Sequence, residues 1–585
     1  MIKYSSAFAL TCALIVSLEG AAQAQSVPSP ANVDDVFDSA GPTRQELELP
    51  APVQTAPNFK IKMETGPARS QDCFASSNLR ATITDVQFQN PNGGPIAPAL
   101  AQILSGIDAP GRKLPVSAAC DIRDAAIRAL QKEGWIASIQ IPQQNLINTL
   151  RLNVVAAQVK SVTIAGDPGP YRSKIEEKIR QIETLTPFNA KAAERILFSL
   201  NDIPGLKLKL ALAPITGRSG DVAGRLDADF SPYAVIANVR NFNAKRTGRE
   251  TLYGRAEFYG LTKMADVTHI GAKTTGDFQE QLIGQIGHEF GIGGQNTRIG
   301  ADMTVSRTEP SLDGLDISAD AVLLNFRVEY PIIRTPACSA DLIAGLDYLD
   351  LETDLSSVAL NKDALRTLYL RATMTGTGQG LTASSSLKYD VFAELRQGLD
   401  ILDATQNGAG VLAMTDGVSA SRPFGQADSL VARAGIDVSM PLGGVFGARL
   451  RGEGQWTDNP LLGYDEYNVG NLSIGRGYDP GANSGDRAIG AALELNANLP
   501  IDAPANIQAF GFYDVTKVEN LDFGTIDPKR TLSSAGAGLR INLPRNLYAE
   551  LTYAKALDRA LASDVKKPPE RISFSITKKF TPGSF

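Results

Sequence analysis

Residues 471–487 carry the strongest single signal in this sequence: Asn-Leu-Ser-Ile-Gly-Arg-Gly-Tyr-Asp-Pro-Gly-Ala-Asn-Ser-Gly-Asp-Arg. Arg476 stands between two glycines, and the segment closes on a Gly-Asp-Arg step. Glycines let a backbone turn tightly and pass close to other chain segments. An arginine on such a tip can reach into a confined space and bind a carboxylate through two parallel hydrogen bonds. A Gly-Arg-Gly step by itself is common in loops, so the surrounding chain decides what this one means.

From about residue 238 to the end, apolar and polar residues alternate with a period of two between clusters of Gly, Asn, Asp and Pro. The clearest alternating segments are residues 298–305, 387–396, 449–456 and 547–553. The apolar face of such strands packs on a core in a soluble sandwich and faces lipid in a membrane barrel. Charges of both signs on the polar face favour the barrel, whose closure also removes exposed sheet edges. About 350 residues shared by sixteen strands leaves about 22 for each strand and its connection, which suits a large barrel.

The composition excludes several classes of protein. The 585 residues are 43% hydrophobic and 21% charged, which is typical neither of a disordered chain nor of a helical membrane protein. A formal net charge of −6 and the lack of a Lys/Arg cluster argue against nucleic acid as a partner. The length exceeds one ordinary domain but accommodates a large barrel with small modules.

The N-terminal residues predict export. A long apolar run, residues 7–18, follows Lys3 and precedes the small-x-small site Ala22-Gln23-Ala24. This is the pattern of a secretory signal peptide over residues 1–24. No later segment approaches the roughly 18 apolar residues that a spanning helix needs. An exported chain of this kind can still enter a membrane as a closed barrel.

Two small α+β units are predicted between a linker and the barrel. Residues 25–75 are rich in Pro, Ala and acidic residues, which is typical of a linker, and show one short helical stretch near Arg44–Leu49. Residues 76–157 follow the pattern of a strand, two helices and two strands. Residues 158–231 contain a second set, in which Asn189 can cap a helix that precedes a half-buried strand.

Three cysteines follow the predicted signal peptide: Cys73, Cys120 and Cys338. Export permits a disulfide, and Cys73 and Cys120 are the natural pair because both fall in or beside the first unit. Two buried thiols are the alternative, and the sequence leaves both open. We predict no function for Cys338.

The motif in residues 471–487 resembles a known signature. Its residues are Arg476, Gly477, Tyr478, Gly485 and Asp486. Together with the Glu-Leu step at residues 494–495, they resemble the lid loop of outer-membrane protein translocases and assembly factors. Within that superfamily, the chain resembles the two-partner secretion transporters, the haemolysin secretion/activation protein family.

A second motif lies downstream of the first. Residues 512–516, Phe-Tyr-Asp-Val-Thr, resemble the family's Phe-x-Asp-x-Gly strand, whose Asp faces inward and meets the loop arginine. The resemblance therefore implies an ion pair between Arg476 and Asp514, because a charge in a confined site is costly when unpaired. Thr516 stands where the family has Gly. A solvated arginine on an extracellular loop is the alternative.

The two α+β units resemble POTRA modules, the periplasmic substrate-docking domains of this superfamily. Gly134 and Trp135, followed by Pro142 and Gln144, resemble the Gly-Tyr…Leu-Pro-x-Gln feature of the first module. Asn148 departs from the family, which usually has Gly there. The family's linker can carry a helix that plugs the barrel, but the linker pattern here is too short to predict one.

The chain closes on an alternating segment, residues 572–577, followed by Phe580 and then by Phe585. An amphipathic final strand that ends in an aromatic residue resembles the signal read by the outer-membrane assembly machinery. Either Phe580 or Phe585 fits that part. An ordinary strand with a frayed tail is the alternative.

The resemblance implies a transmembrane β-barrel of about sixteen antiparallel strands over residues 232–585, preceded by POTRA modules at residues 76–157 and 158–231. It implies an outer-membrane translocase that exports a large exoprotein, of adhesin or cytolysin type, without ATP. The exoprotein would dock on the modules and pass through the barrel as the Arg476 loop yields. We also expect outer-membrane lipid and the barrel-assembly machinery as partners, no nucleic acid, and a monomer. An assembly factor for other barrels and a passive porin or receptor remain alternatives.

Motifs of enzymes are absent from the sequence. There are two histidines, and His288-Glu289 lacks the second His of a zinc-protease helix. Gly475-x-Gly477 lacks the flanking strand and helix of a dinucleotide site, and the chain has no phosphate-binding loop of the Gly-x-x-x-x-Gly-Lys type. We therefore predict no catalytic, cofactor-binding or metal-binding residues.

Overall fold

The structure is a computed structural model. It describes residues 41–48, 62–63, 79–145, 148–293, 297–311, 314–335, 337–380, 386–408, 411–501, 504–523, 525 and 527–582. The predicted signal peptide, Cys73 and Phe585 lie outside these residues, so the cleavage site, the Cys73–Cys120 disulfide and the role of Phe585 stay predictions.

The described residues before position 231 hold five α-helices and eight strands. The helices are α1 Arg44–Leu47, α2 Pro98–Leu104, α3 Ala118–Lys132, α4 Arg172–Glu183 and α5 Ala190–Asn201. The strands are β1 Lys62–Met63, β2 Arg80–Gln89, β3 Lys113–Pro115, β4 Ala137–Gln140, β5 Asn148–Ala156, β6 Gln158–Asp167, β7 Leu206–Pro214 and β8 Asp221–Phe230. Short 3-10 turns occur at Gly169–Tyr171 and Lys245–Thr247. Among the described helices, none is both long and apolar enough to cross a membrane.

The first module is a sheet in the order β3-β2-β5-β4 covered by α2 and α3. Ile122, Ala126 and Leu130 form the buried face of α3 and pack against Leu150 and Leu152 of β5. The 3.6-residue period of the helix and the two-residue period of the strand place these side chains on one interface. A single apolar core therefore holds the module together.

The second module has the sheet order β1-β7-β8-β6, with α4 and α5 on one face. In α5, the Asn189 side chain accepts a hydrogen bond from the Ala192 amide at 3.0 Å, which caps the helix as its sequence predicts. In β7, buried leucines alternate with exposed lysines. Strand β1 of the linker pairs in parallel with β7, and so covers one edge of this sheet.

The remaining strands form one closed antiparallel barrel. They are β9 Tyr233–Arg240, β10 Thr251–Tyr259, β11 Val267–Thr275, β12 Gln281–Ile292, β13 Thr297–Thr308, β14 Ile317–Arg334, β15 Cys338–Leu355, β16 Val358–Gln379, β17 Ser386–Gly398, β18 Leu430–Gly443, β19 Phe446–Thr457, β20 Arg487–Leu499, β21 Asn506–Glu519, β22 Lys529–Leu543, β23 Leu547–Ala556 and β24 Arg571–Phe580. Each strand pairs with the next, and β24 pairs with β9. The prediction of about sixteen antiparallel strands with two α+β modules is confirmed.

The barrel seam, where the last strand meets the first, is short. Strands β24 and β9 pair from Ser575↔Arg240 to Phe580↔Val235. Phe580 is thus the last residue of the final strand. Asn238 of β9 adds side-chain hydrogen bonds to Ser575 (2.9 Å) and Thr577 (2.8 Å) of β24. Polar side chains therefore supplement the short backbone ladder.

The two ends of the barrel differ. One end adjoins the second module: Arg334 of β14 lies 3.3 Å from Asp202, and Gly205 packs against Tyr259 of β10. At the opposite end, residues 399–429 join β17 to β18 and residues 458–486 join β19 to β20. These two loops contain short strands at Gln406–Gly408, Val411–Thr415, Val418–Ser419, Tyr467–Val469 and Asn483–Gly485.

The barrel wall alternates as the sequence predicts. In β20, the outward side chains Ile489, Leu493 and Leu495 are more than half exposed, whereas Ala492 and Glu494 point inward and are buried. A row of exposed apolar side chains on one face of a barrel strand is stabilised where lipid replaces water. The alternation therefore gives the wall a lipid face and a polar lumen.

This alternation predicts the effect of a charge on each face of one strand. Leu493 is central in β20 and faces outward, so Leu493→Arg should lower the free energy of unfolding by about 2–4 kcal/mol. Asn496→Arg, on the lumen face of the same strand, is the matched control and should change it little. Urea unfolding in lipid vesicles measures both, and equal losses for the two variants would contradict a lipid-facing wall.

Candidate functional site

Residues 458–486, the lid loop, fold back into the lumen instead of projecting away from the barrel. Two short strands, Tyr467–Val469 and Asn483–Gly485, pair to form its stem. Buried Tyr467, Val469 and Tyr478 of the loop pack against wall residues of β20, β21 and β22. The loop is thus a packed part of the lumen, held first by apolar contacts.

Arg476, at the tip of the lid loop, forms a bidentate ion pair with Asp514 of β21. Its Nε lies 3.0 Å from Oδ2 and its Nη2 lies 2.7 Å from Oδ1 of the carboxylate. The backbone N–H of Arg476 donates to the same carboxylate at 2.9 Å. The Asp514 side chain is 1% exposed. A charge so deeply buried is tolerated because both its oxygens are bound by a cation and an amide.

Two more groups complete the surroundings of Arg476. Its Nη1 lies 3.1 Å from Glu494 Oε2, and its guanidinium carbon lies 3.5 Å from the centre of the Phe512 ring. An aromatic face attracts a cation through its ring quadrupole, and a buried site strengthens that attraction. The arrangement fixes the plane of the guanidinium as well as its position.

The ion pair extends into a chain of alternating charges along the wall. Glu494 also accepts from Arg540 Nη2 at 2.9 Å, and Arg540 Nε donates to Glu550 at 2.9 Å. Arg540 stacks over Phe510, with its guanidinium carbon 4.0 Å from the ring centre. Each buried charge thus has an opposite neighbour, which lowers the cost of burying it.

Gly477 and Tyr478 fix the loop tip to the wall. A Cβ on Gly477 would lie 2.8 Å from the backbone nitrogen of Ala556, so only glycine allows this approach. The fully buried Tyr478 hydroxyl donates to the Ser533 carbonyl at 2.9 Å and accepts from the Asp558 amide at 3.2 Å. Burial raises the pKa of Tyr478 to about 12, so the phenol keeps the proton that it donates.

Thr516, where the resembling family has Gly, also contacts the lid loop. Its hydroxyl donates to the Ile474 carbonyl at 2.9 Å. The residue opposite Thr516 in β20 is Gly490, and a Cβ there would lie 2.9 Å from this hydroxyl. Gly490 therefore leaves room for the Thr516 side chain, whose hydroxyl forms a hydrogen bond to the loop.

Asp479, which the motif analysis did not single out, ties the lid loop to the barrel seam. Its carboxylate accepts from the Lys245 amide at 3.2 Å, from Arg249 at 3.2 Å and from Arg571 of β24. Arg571 also donates to the carbonyls of Asn241 and Asn243, which follow β9, at 3.1 Å each. In the sequence, Asp479 is marked only by its position directly after Arg-Gly-Tyr. Its partners could not be predicted, because they lie near the first and the last strand of the barrel.

Gly485 and Asp486 end the lid loop at the rim of the barrel. A Cβ on Gly485 would lie 3.0 Å from Val518 Cβ, so the loop passes close to β21. The fully buried Asp486 accepts from the amides of Leu461 (2.7 Å) and Leu521 (2.6 Å) and from Arg422 (2.6 Å). Sequence analysis missed Arg422, because nothing near it marks it as the partner of a distant aspartate.

Helix α1 lies inside the barrel beside the lid loop. Leu47 packs in one apolar cluster with Leu351 of β15 and Tyr464 of the lid loop. The Thr43 side chain and the Glu46 carboxylate form a capping box, in which the Thr43 amide donates to Glu46 at 2.9 Å. The short helical stretch of the linker is thus a helix at Arg44–Leu47, and it lies in the lumen, a position that the sequence pattern did not predict.

The POTRA motif residues lie at the joint between the two modules. Gly134 has φ of +82° and ends α3, and its carbonyl accepts from the Ala190 amide of the second module at 2.7 Å. A Cβ on Gly134 would lie 2.7 Å from the Lys191 side chain. Trp135 bridges to Asn189 across the same joint. The glycine is thus needed for both the turn and the close approach.

The later part of the motif braces the first module. After Pro142, the Gln144 side chain donates to the Arg151 carbonyl at 2.7 Å and accepts from the Arg151 amide at 2.8 Å. Gln144 therefore satisfies the backbone N–H and C=O of Arg151 in β5, as a neighbouring strand would.

Cys120 is buried on α3. Within the described ranges, no group of three or more His, Cys, Asp and Glu could hold a metal ion.

The sequence model of one protein family matches this chain. The family is described as haemolysin secretion/activation protein ShlB/FhaC/HecB, and the match covers residues 227–541, more than half of the chain. The chain belongs to this family. It is a two-partner secretion transporter of the outer membrane, with its N-terminal region in the periplasm. The predicted family and location are confirmed.

Solved structures share the fold. CdiB from Escherichia coli aligns with a TM-score of 0.63 at 15% identity, over 95% of this chain and 100% of that one. CdiB from Acinetobacter baumannii aligns with a TM-score of 0.53 at 16% identity, over 90% and 94%. BamA from Haemophilus ducreyi lacking POTRA domains 1–3 aligns with a TM-score of 0.51 at 12% identity, over 85% and 100%. No curated protein sequence matches the chain.

The close approach at Gly477 predicts that even one methyl group there unseats the lid loop. Gly477→Ala should speed amide exchange at residues 474–478 by about tenfold or more, since overpacking costs about 1–3 kcal/mol. Hydrogen exchange of the protein in detergent measures this. Gly254→Ala in β10 is the control, because a Cβ there meets nothing within 4 Å. Unchanged exchange in Gly477→Ala would show that the loop tip is not held by this contact.

Proposed function

We propose that this transporter exports one large partner exoprotein from the periplasm to the cell surface, without ATP. The observation that carries the proposal is the lid loop anchored inside the lumen by Arg476 and Asp514. A passive pore gains nothing from a buried, charge-paired plug, whereas a pore that opens for one chain needs a defined closed state. Folding of the exoprotein outside would supply direction.

The lid loop and α1 both occupy the lumen. The cavity that remains beside Arg476 measures about 230 Å³. It is lined by Arg449, Arg451, Arg540 and Glu550 among others. Passage therefore requires the lid loop, α1 or both to move. The charges they leave behind would then face the exoprotein or water.

Docking is best accommodated at the sheet edges of the modules. Among the described residues of the linker, Lys62 and Met63 of β1 cover the edge of β7, in the register Lys62↔Ala211 and Met63↔Leu212. In the first module, β3 pairs with β2 only at residues 80–82. An extended segment of the exoprotein can add a strand at such edges, and at β7 it would replace β1. Since β1 follows α1 in the linker, such docking would also pull on the helix in the lumen.

The barrel-assembly machinery is a second proposed partner, which would act while the barrel is inserted into the membrane. Strand β24 alternates in polarity and ends at Phe580. We assign this strand as the segment that the barrel-assembly machinery recognises before insertion. An assembly factor for other barrels remains the second candidate, favoured by the likeness of fold to BamA.

The lid hypothesis predicts a specific loss in Arg476→Ala. The variant leaves Asp514 buried without its cation, a change that typically costs about 3–5 kcal/mol, so the lid loop loses its closed position. Secretion of the exoprotein should fall, while the amount of barrel in the outer membrane stays near the wild-type level. Arg307→Ala is the control, because Arg307 of β13 forms an exposed ion pair with Glu309, which follows that strand. Normal secretion by Arg476→Ala would contradict the proposal that the lid loop gates export through Arg476.

The exported partner is found by comparing cells with and without this chain. We expect one large protein to disappear from the surface or the medium, with other outer-membrane proteins unchanged. Mass spectrometry of both fractions, with the gene restored in trans as control, makes the measurement. Joint loss of many barrels would instead establish an assembly factor, and no change in either fraction would favour a porin or receptor.

A further inference from the structure

The described residues of the loop between β17 and β18, 399–408 and 411–429, form a folded cap over the outer end of the lumen. Asp363 of β16 accepts hydrogen bonds from the Ser421 amide (2.8 Å) and hydroxyl, and so fixes the cap to the wall. Ala413 and Ala420 of the cap pack in the apolar cluster that contains Leu462 of the lid loop and Leu47 of α1. The cap is therefore attached to the barrel on one side and meets the lid loop on the other.

Arg422 of the cap binds three carboxylates from other loops. Its Nη1 lies 2.9 Å from Glu466 and 2.6 Å from Asp486, both of the lid loop. Its Nε lies 3.0 Å from Asp522, in the loop between β21 and β22. We call these four residues the Arg422 hub. Arg422 is 5% exposed, so solvent does little to screen these contacts.

The charges in the hub depend on the arginine. Burial alone would lower the pKa of Arg422, but the carboxylates of Glu466, Asp486 and Asp522 outweigh it and hold the pKa above its ordinary value. Without the guanidinium, three carboxylates would face one another at a buried site, where like charges repel strongly. The hub therefore has one cation that keeps the cap and the lid loop together.

Backbone contacts continue the interface beyond the hub. The Gln426 amide of the cap donates to the Pro460 carbonyl at 2.9 Å, and the Gly463 amide donates to the Ser421 hydroxyl at 3.1 Å. Arg422 Nη1 also donates to the Leu461 carbonyl at 2.8 Å. Because Asp363 holds the cap to the wall, the lid loop cannot leave the lumen until these contacts break.

We propose that the cap is a second closing element of the pore, and that Arg422 is the positioning residue that latches it to the lid loop. Opening then requires two separate ruptures, at Arg476 in the lumen and at Arg422 at the outer rim. The inference rests on the proposed function, since it assigns the outer half of the gate to the cap. It adds that the lid loop is held at its tip, through Arg476, and near its base, through Glu466 and Asp486.

Ion conductance of the purified protein in planar bilayers tests the latch without the exoprotein. Arg422→Gln should raise the frequency of openings in potassium chloride by about tenfold or more, because several charge-assisted hydrogen bonds of the closed state are lost. Arg487→Gln is the matched control, since Arg487 pairs with the exposed Asp458 at the same end of the barrel. Openings of Arg422→Gln at the wild-type frequency would overturn the proposal.

A disulfide between cap and lid loop decides the question even if Arg422→Gln does not fold. A Cβ on Gly463 would lie 3.8 Å from Ser421 Cβ, which matches the geometry of a disulfide. In a Cys338→Ser background, the Ser421→Cys/Gly463→Cys variant should open less often when oxidised and regain its openings in reductant. Ser421→Cys alone should not respond to reductant. Equal opening of the oxidised and reduced double variant would overturn the proposal.

Secretion by the same double variant separates this inference from the proposed function. Export blocked by oxidation and restored by reduction supports both. Equal export in the two states overturns the latch but leaves the transporter intact. If neither state nor the wild-type chain exports any protein, the proposed function fails, and the conductance result then stands on its own as the test of the cap.

Discussion

A buried charge needs an opposite charge within reach, and in this barrel that constraint positions the lid loop. Arg476 is carried on a tip between two glycines, and it meets the almost fully buried Asp514 in a geometry that uses both oxygens of the carboxylate. Neither group would be stable there without the other. The loop therefore has one well-defined depth in the lumen, and its other contacts are built around that depth.

Neighbouring residues of the loop then contact different parts of the barrel. Tyr478 binds the wall at β22, Asp479 binds Arg571 at the seam, and Asp486 binds Arg422 at the rim. The seam itself has a short ladder from Ser575 to Phe580, so the contact through Asp479 adds to its closure. A motion of the loop cannot stay local, because each of these contacts would have to change with it.

A few specific contacts also join the periplasmic modules to each other and to the barrel. Gly134 lets the first module approach the second closely, and Arg334 and Asp202 connect the second module to the wall. The linker joins these parts a second time, since α1 lies in the lumen and β1 lies on the edge of β7. A strand added to that edge and a helix in the pore are thus connected by one stretch of chain.

The strands could be predicted from the amino-acid sequence, because lipid on one face and a polar lumen on the other impose a two-residue period. The sequence also determined the helices of the modules, whose caps at Gly134 and Asn189 are local in the chain. The pair of Arg476 and Asp514 was accessible only through a family motif. The partners of Asp479, which are 230 and 92 residues away, and the Arg422 partner of Asp486, which is 64 residues away, became visible only in the folded barrel. Barrel closure brings such residues together, and no local pattern records which charges it will place side by side.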